Sequence, residues 1–171
     1  MTPDAVRLAP AAAASRFIFR ARSAAEAAAA APLGLALPQQ ACRAATQGDR
    51  AALWLGPDEW LLLAPEADGP ALAAALAAAL AGLPHALVDV GHRQAGLLVE
   101  GPAATAVLNA GCPLDLDISA FPVGMCTRTV FAKSQIVLWR TGPERFHVEA
   151  WRSFMPYVEA YLTEAAREFS G

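Results

Sequence analysis

Charge is scarce in this chain: Asp, Glu, Lys and Arg make up 17% of its 171 residues, against about 25% in an average soluble domain. Either apolar surface is left for a partner to cover, or the figure reflects alanine, which raises the apolar share to 56% while adding little hydrophobic area. No surplus of positive charge exists. With a net charge of −3 and a pI near 5.6, the chain has no excess cations to neutralise phosphates or anionic lipid, so neither nucleic acid nor a membrane surface is an expected partner. Long hydrophobic runs are missing too. The longest, Pro70 to Leu83, is shorter than the roughly 20 residues a bilayer span needs. The N-terminus places Asp4 ahead of any basic residue and carries Pro3 and Pro10, which suits neither a signal nor a transit peptide and predicts a cytoplasmic protein.

Cysteine and histidine are also sparse. Cys42, Cys112 and Cys126 show neither C-x-x-C nor metal-ligand spacing, and read as buried thiols of a reducing compartment. His85, His92 and His147 have no His, Cys or carboxylate at helical metal-site spacing, so no metal is expected. The nucleophile-elbow, dinucleotide, P-loop and H-E-x-x-H signatures are all lacking, and no catalytic or cofactor-binding residue is expected in this chain. Asp115 and Asp117 lie in a loop bounded by Pro113 and Pro122 and read as turn formers in preference to a catalytic carboxylate pair.

What is present is a sequence of short strands and helices. The length suits one domain: residues 1–14 read as a loose N-terminal arm and 15–171 as a single domain. Arg16 to Arg22 alternates like a strand, and Ser23-Ala-Ala-Glu26 has capping-box spacing ahead of a helix ending at Pro32. Strands are predicted over Cys42–Thr46, Ala51–Leu55 and Glu59–Leu63, the first two joined by a turn at Gln47-Gly-Asp-Arg50. Asp68 is placed to cap a helix with a stripe of Leu72, Leu76, Leu80 and Leu83. Strands Ala86–Val90 and Ala95–Glu100, a helix from Ala103, strands Cys126–Phe131, Gln135–Arg140 and Arg145–Ala150, and a helix from about Ser153 complete the chain. Leu53-Trp-Leu-Gly-Pro-Asp-Glu-Trp60 and Leu138-Trp-Arg-Thr-Gly-Pro-Glu-Arg-Phe146 echo each other, each a strand, a Gly-Pro turn and a strand leading to a helix. An α+β fold of antiparallel sheets in two related β-β-α halves follows.

One polar cluster stands in a strand context. A hairpin at Asp89-Val-Gly-His-Arg-Gln94 would gather Asp89, His92 and Arg93 at its tip, to bind a carboxylate ligand or to pair internally. Of the four tryptophans, Trp60 and Trp151 are candidates for a partner surface, because tryptophan is favoured at interface hot spots.

Five segments taken together carry a family likeness. Leu55-Gly-Pro-Asp-Glu-Trp-Leu-Leu-Leu63, Val88-Asp-Val-Gly-His-Arg93, Gly111-Cys-Pro-Leu-Asp-Leu-Asp117, Phe121-Pro-Val-Gly124 and Glu149-Ala-Trp-Arg-Ser-Phe154 resemble the gamma subunit of heterotetrameric sarcosine oxidase from about Arg16 onward. The resemblance implies a non-catalytic subunit that stabilises an assembly with alpha, beta and small delta subunits. Those partner subunits would hold the flavins, NAD and tetrahydrofolate, and the assembly would demethylate sarcosine oxidatively. More distantly the chain resembles the folate-binding domain of the glycine-cleavage aminomethyltransferases, with Ser134-Gln135 and Glu149 where those enzymes carry an Asp-Asp pair and an Asn. An amide or hydroxyl cannot supply the carboxylate that handles folate's amine, so the isolated chain is expected to be inactive and free to self-associate. The alternative is a stand-alone folate or small-carboxylate binder.

Overall fold

The structure, a computed structural model, describes residues 5–169. In chain order its elements are β1 (Arg7–Pro10), β2 (Ala14–Ala21), α1 (Ala24–Leu33), β3 (Ala44–Gln47), β4 (Arg50–Gly56), β5 (Glu59–Pro65), α2 (Gly69–Ala79) and β6 (His85–Asp89). Then come β7 (Gln94–Glu100), α3 (Ala104–Asn109), β8 (Cys126–Phe131), β9 (Ser134–Gly142), β10 (Arg145–Trp151) and α4 (Met155–Ala166). The sequence predicts one domain from residue 15; the described residues group into two compact units, Ala12–His92, and Arg93 onward together with the N-terminal segment through Ala11.

In the first unit the strand order is β3-β4-β5-β2-β6, antiparallel throughout. Alternation puts Phe17, Phe19 and Ala21 of β2 and Trp60, Leu62 and Ala64 of β5 on one face, where they form a core with α1 and with Leu72, Leu76 and Leu80 of the predicted leucine stripe. Neither expected helix cap forms. Ser23 has φ 50 and makes no side-chain cap bond, since capping requires the extended backbone that this residue lacks. The Asp68 carboxylate turns instead to the Arg50 guanidinium at 3.1 Å, while Asp68's own backbone is already helical.

The second unit repeats this plan. Its sheet runs β8-β9-β10-β7-β1, and Leu97 and Val99 of β7, Ile136 and Leu138 of β9, and Phe146, Val148 and Ala150 of β10 form a core with α3 and α4. Matching the two sheet orders pairs β2 with β7, β3 with β8, β4 with β9, β5 with β10 and β6 with β1. The repeat is therefore strand-helix-three strands-helix plus a fifth strand, and the two expected β-β-α halves are its later part, β4-β5-α2 and β9-β10-α4. Both hairpins slip at the same place: Gly56 pairs with Glu59 and Trp54 with Trp60, while Gly142 pairs with Arg145 and Arg140 with Phe146. Leu55 and Thr141 are thus the extra residues, and the structural equivalents are Trp54 with Arg140 and Trp60 with Phe146. The two Leu-Trp pairs of the sequence echo are offset by one residue.

Part of the expected loose arm is a strand. Arg7–Pro10 pairs antiparallel with β7, Leu8 opposite Val99, and Ala5, Val6 and Leu8 pack on the second unit's core. Pro10 is tolerated because β1 is at the sheet edge, where a missing N–H costs nothing. Gly101 lets the chain close on this segment: its φ is 130 and an added Cβ would lie 2.6 Å from the Ala5 carbonyl oxygen. Of the predicted arm, residues 1–4 lie outside the described residues.

Candidate functional site

The expected hairpin at Asp89–Gln94 does not form. β6 pairs with β2 and belongs to one sheet, while both neighbours of β7 are β1 and β10 of the other, so the segment is a crossing from one unit to the next. Asp89 and Arg93 are each engaged within their own unit, His92 is exposed, and Gln94 is buried with its Oε1 making no hydrogen bond among the described residues. The Asp89 carboxylate accepts the Gly91 N–H at 2.8 Å and closes its own turn. The Arg93 guanidinium lies 5.4 Å from the centre of the Trp151 ring, a cation–π contact.

The two candidate tryptophans part company. Trp60 is fully buried; its Nε1–H donates to the Pro38 carbonyl at 3.0 Å and its ring centre is 6.2 Å from that of Phe19. It is a core residue, unable to face a partner. Trp151 is 44% exposed, on the opposite face of β10 from Phe146, Val148 and Ala150. After it, along α4, Phe154, Tyr157 and Tyr161 are 43%, 38% and 37% exposed. The ring centres of Trp151 and Phe154 are 6.4 Å apart and those of Tyr157 and Tyr161 6.3 Å, both pairs edge-on. Met155, Val158 and Leu162 carry the buried side of the same helix.

The loop between α3 and β8 is organised by its own side chains. Asp115 accepts the Asp117 N–H at 2.9 Å, and Asp117 accepts the Ser119 N–H at 2.9 Å and its hydroxyl at 2.6 Å, the turn-forming role predicted for both. The Ser119 donors hold the Asp117 carboxyl below its ordinary pKa. Arg140, 3% exposed, anchors the loop by donating Nη1 to the carbonyls of Leu116 and Phe121, each at 2.9 Å. Its other nitrogens donate to the Gly142 and Pro143 carbonyls, and its guanidinium stacks 4.8 Å above the Phe146 ring.

Ser134 is buried with its hydroxyl donating to the Gln135 carbonyl at 3.3 Å, and Gln135 is exposed. Glu149 is 1% exposed, and its Oε1 lies 2.8 Å from His147 Nε2. The His147 ring also meets Trp139, centres 5.9 Å apart. A carboxylate that orients an imidazole is half of a general-base arrangement. Helical spacing does not disclose this pair; an i, i+2 spacing in a strand, which places both side chains on one face, does. Among the described residues no group of three His, Cys, Asp or Glu is placed to hold a metal ion, and no helix is long and apolar enough to cross a membrane.

Residues 20–168 match the model of the sarcosine oxidase, gamma subunit family. The chain is 42% identical over 149 residues to the sarcosine oxidase subunit gamma of an Arthrobacter species, covering 86% of this chain and 72% of that one. Among solved structures it is similar to a chain of the heterotetrameric sarcosine oxidase from Corynebacterium sp. U-96 in complex with pyrrole 2-carboxylate, with a TM-score of 0.93, 36% identity, and coverage of 100% of this chain and 88% of that one. It shares a fold alone with the glycine cleavage system aminomethyltransferase T of Bartonella henselae, at a TM-score of 0.72 and 16% identity over 94% of this chain and 46% of that one. With the family model spanning most of the chain and the Arthrobacter relative covered over more than two thirds of its length, this chain belongs to the sarcosine oxidase gamma subunit family.

Proposed function

We propose that the chain is the non-catalytic, assembly-stabilising subunit of a heterotetrameric sarcosine oxidase. Its partners are the alpha, beta and delta subunits, and the larger of them hold the flavins, NAD and tetrahydrofolate and convert sarcosine to glycine, with formaldehyde or methylenetetrahydrofolate and hydrogen peroxide as co-products. The observation that carries this reading is the likeness of the whole chain to one chain of a heterotetramer. Ser134 and Gln135 support the non-catalytic role, since neither side chain supplies a carboxylate for folate's amine. That Cys42, Cys112 and Cys126 form no disulfide supports a reducing, cytoplasmic setting. The stand-alone carboxylate binder is less well supported, because Asp89 closes its own turn and Arg93 covers Trp151.

The pure chain is expected to release no peroxide when given sarcosine, and no methylenetetrahydrofolate when given sarcosine and tetrahydrofolate. Steady turnover of either kind by the chain alone contradicts the assignment.

A further inference from the structure

All of the exposed aromatic side chains among the described residues, Trp151, Phe154, Tyr157, Tyr161 and Phe169, lie in the C-terminal stretch of one unit. Four of them form two edge-on pairs, Trp151 with Phe154 and Tyr157 with Tyr161, the last also packing against Phe131 with ring centres 5.1 Å apart. Trp151 leads into α4 from β10, and Phe154, Tyr157 and Tyr161 follow at spacings of three and four, which keeps them on one side of the helix. Water gains nothing by facing such a stripe, and Trp, Tyr and Arg are the residue types that carry most binding energy at protein interfaces. The end at Trp151 is cationic, with Arg93 stacked on the ring and Arg152 exposed beside it. The exposed carboxylates Glu159 and Glu164 lie further along the helix.

We propose that the stripe Trp151–Phe154–Tyr157–Tyr161 docks this chain on a non-identical subunit of the heterotetramer, in an apolar groove whose rim is acidic where it meets Arg93 and Arg152. The inference rests on the subunit assignment above. An unlike subunit is the occupant because the similar solved assembly is a heterotetramer, and the acidic rim follows from charge complementarity with the two arginines.

The test captures the tagged full chain from its native host, identifies co-captured subunits by mass, and measures sarcosine-dependent peroxide in the captured material. Phe154→Ser with Tyr157→Ser is expected to lower the captured subunits and the peroxide by at least about 10-fold, since hot-spot truncations weaken binding that much or more. Val88→Ser, an exposed apolar site of the other unit, is expected to leave both unchanged. Arg152→Glu keeps every ring in place and is expected to reduce capture by about 3-fold at low salt and less at high salt. Wild-type capture of the subunits with no loss in either stripe variant overturns the docking surface and leaves the subunit assignment standing. Capture retained while the double variant converts a self-associated chain to monomer assigns the stripe to a second copy and likewise overturns the proposal. If even the wild-type chain captures no sarcosine-oxidising subunit, the assignment and the docking surface fall together.

Discussion

Trp60→Ala is expected to destabilise the isolated chain by about 4 kcal/mol, the cost typical of deleting a buried tryptophan. The residue is fully buried, packs on Phe19 and satisfies the Pro38 carbonyl. Removing it opens a cavity under β2 and β5 and strands an acceptor. In a chain of 171 residues this corresponds to a fall of about 10 °C in Tm, read by circular dichroism. Trp60→Phe keeps most of the volume and loses only the Nε1–H bond, so about 1–2 kcal/mol is expected. A Trp60→Ala chain that melts like the wild type but no longer assembles would return Trp60 to the surface role that burial denies it.

Arg140→Met is expected to cost about 3 kcal/mol, measured from urea midpoints. The substitution keeps much of the side-chain volume while removing every donor to the carbonyls of Leu116, Phe121, Gly142 and Pro143. Leaving the buried acceptors of Leu116 and Phe121 without this donor carries their desolvation penalty. Arg140→Lys separates geometry from charge: a single ammonium cannot reach carbonyls spread around a planar fork, so roughly half the loss should persist. Full stability in the lysine variant would mean that charge alone matters here. Hydrogen exchange should localise the damage to residues 112–123, the segment Arg140 ties down.

The reason Arg140 was not legible in the sequence is that its partners at Leu116 and Phe121 lie 24 and 19 residues earlier, in a loop without periodicity. Its position was nonetheless marked. Ile136, Leu138 and Arg140 alternate toward the core of their unit, so the arginine occupies an inward position. The same parity separates the tryptophans: Trp151 falls out of step with Phe146, Val148 and Ala150 and is therefore outward, whereas Trp60 sits in the continuous run Trp60-Leu-Leu-Leu63, where alternation says nothing. Local signals served well for the hairpins, whose Gly48-Asp49 and Pro57-Asp58 turns fall where predicted, and for the leucine stripe. Nonlocal pairing was hidden. β1 joins a strand some ninety residues away, and β6 and β7, neighbours in sequence, belong to different sheets. Those two pairings turn a visible β-β-α echo into a longer duplication, and they replace a hairpin tip at Asp89, His92 and Arg93 with a crossing between units.

Central to the account is that this chain works as a subunit and not alone. The most direct measurement is to tag it at its own chromosomal locus, purify it under native conditions, and determine the mass and composition of what elutes. The expected result is a single complex containing larger flavin-bearing subunits, with one copy of this chain and peroxide produced from sarcosine. A monodisperse species made of this chain alone, at native expression level and without sarcosine-oxidising activity in the same fractions, would contradict it.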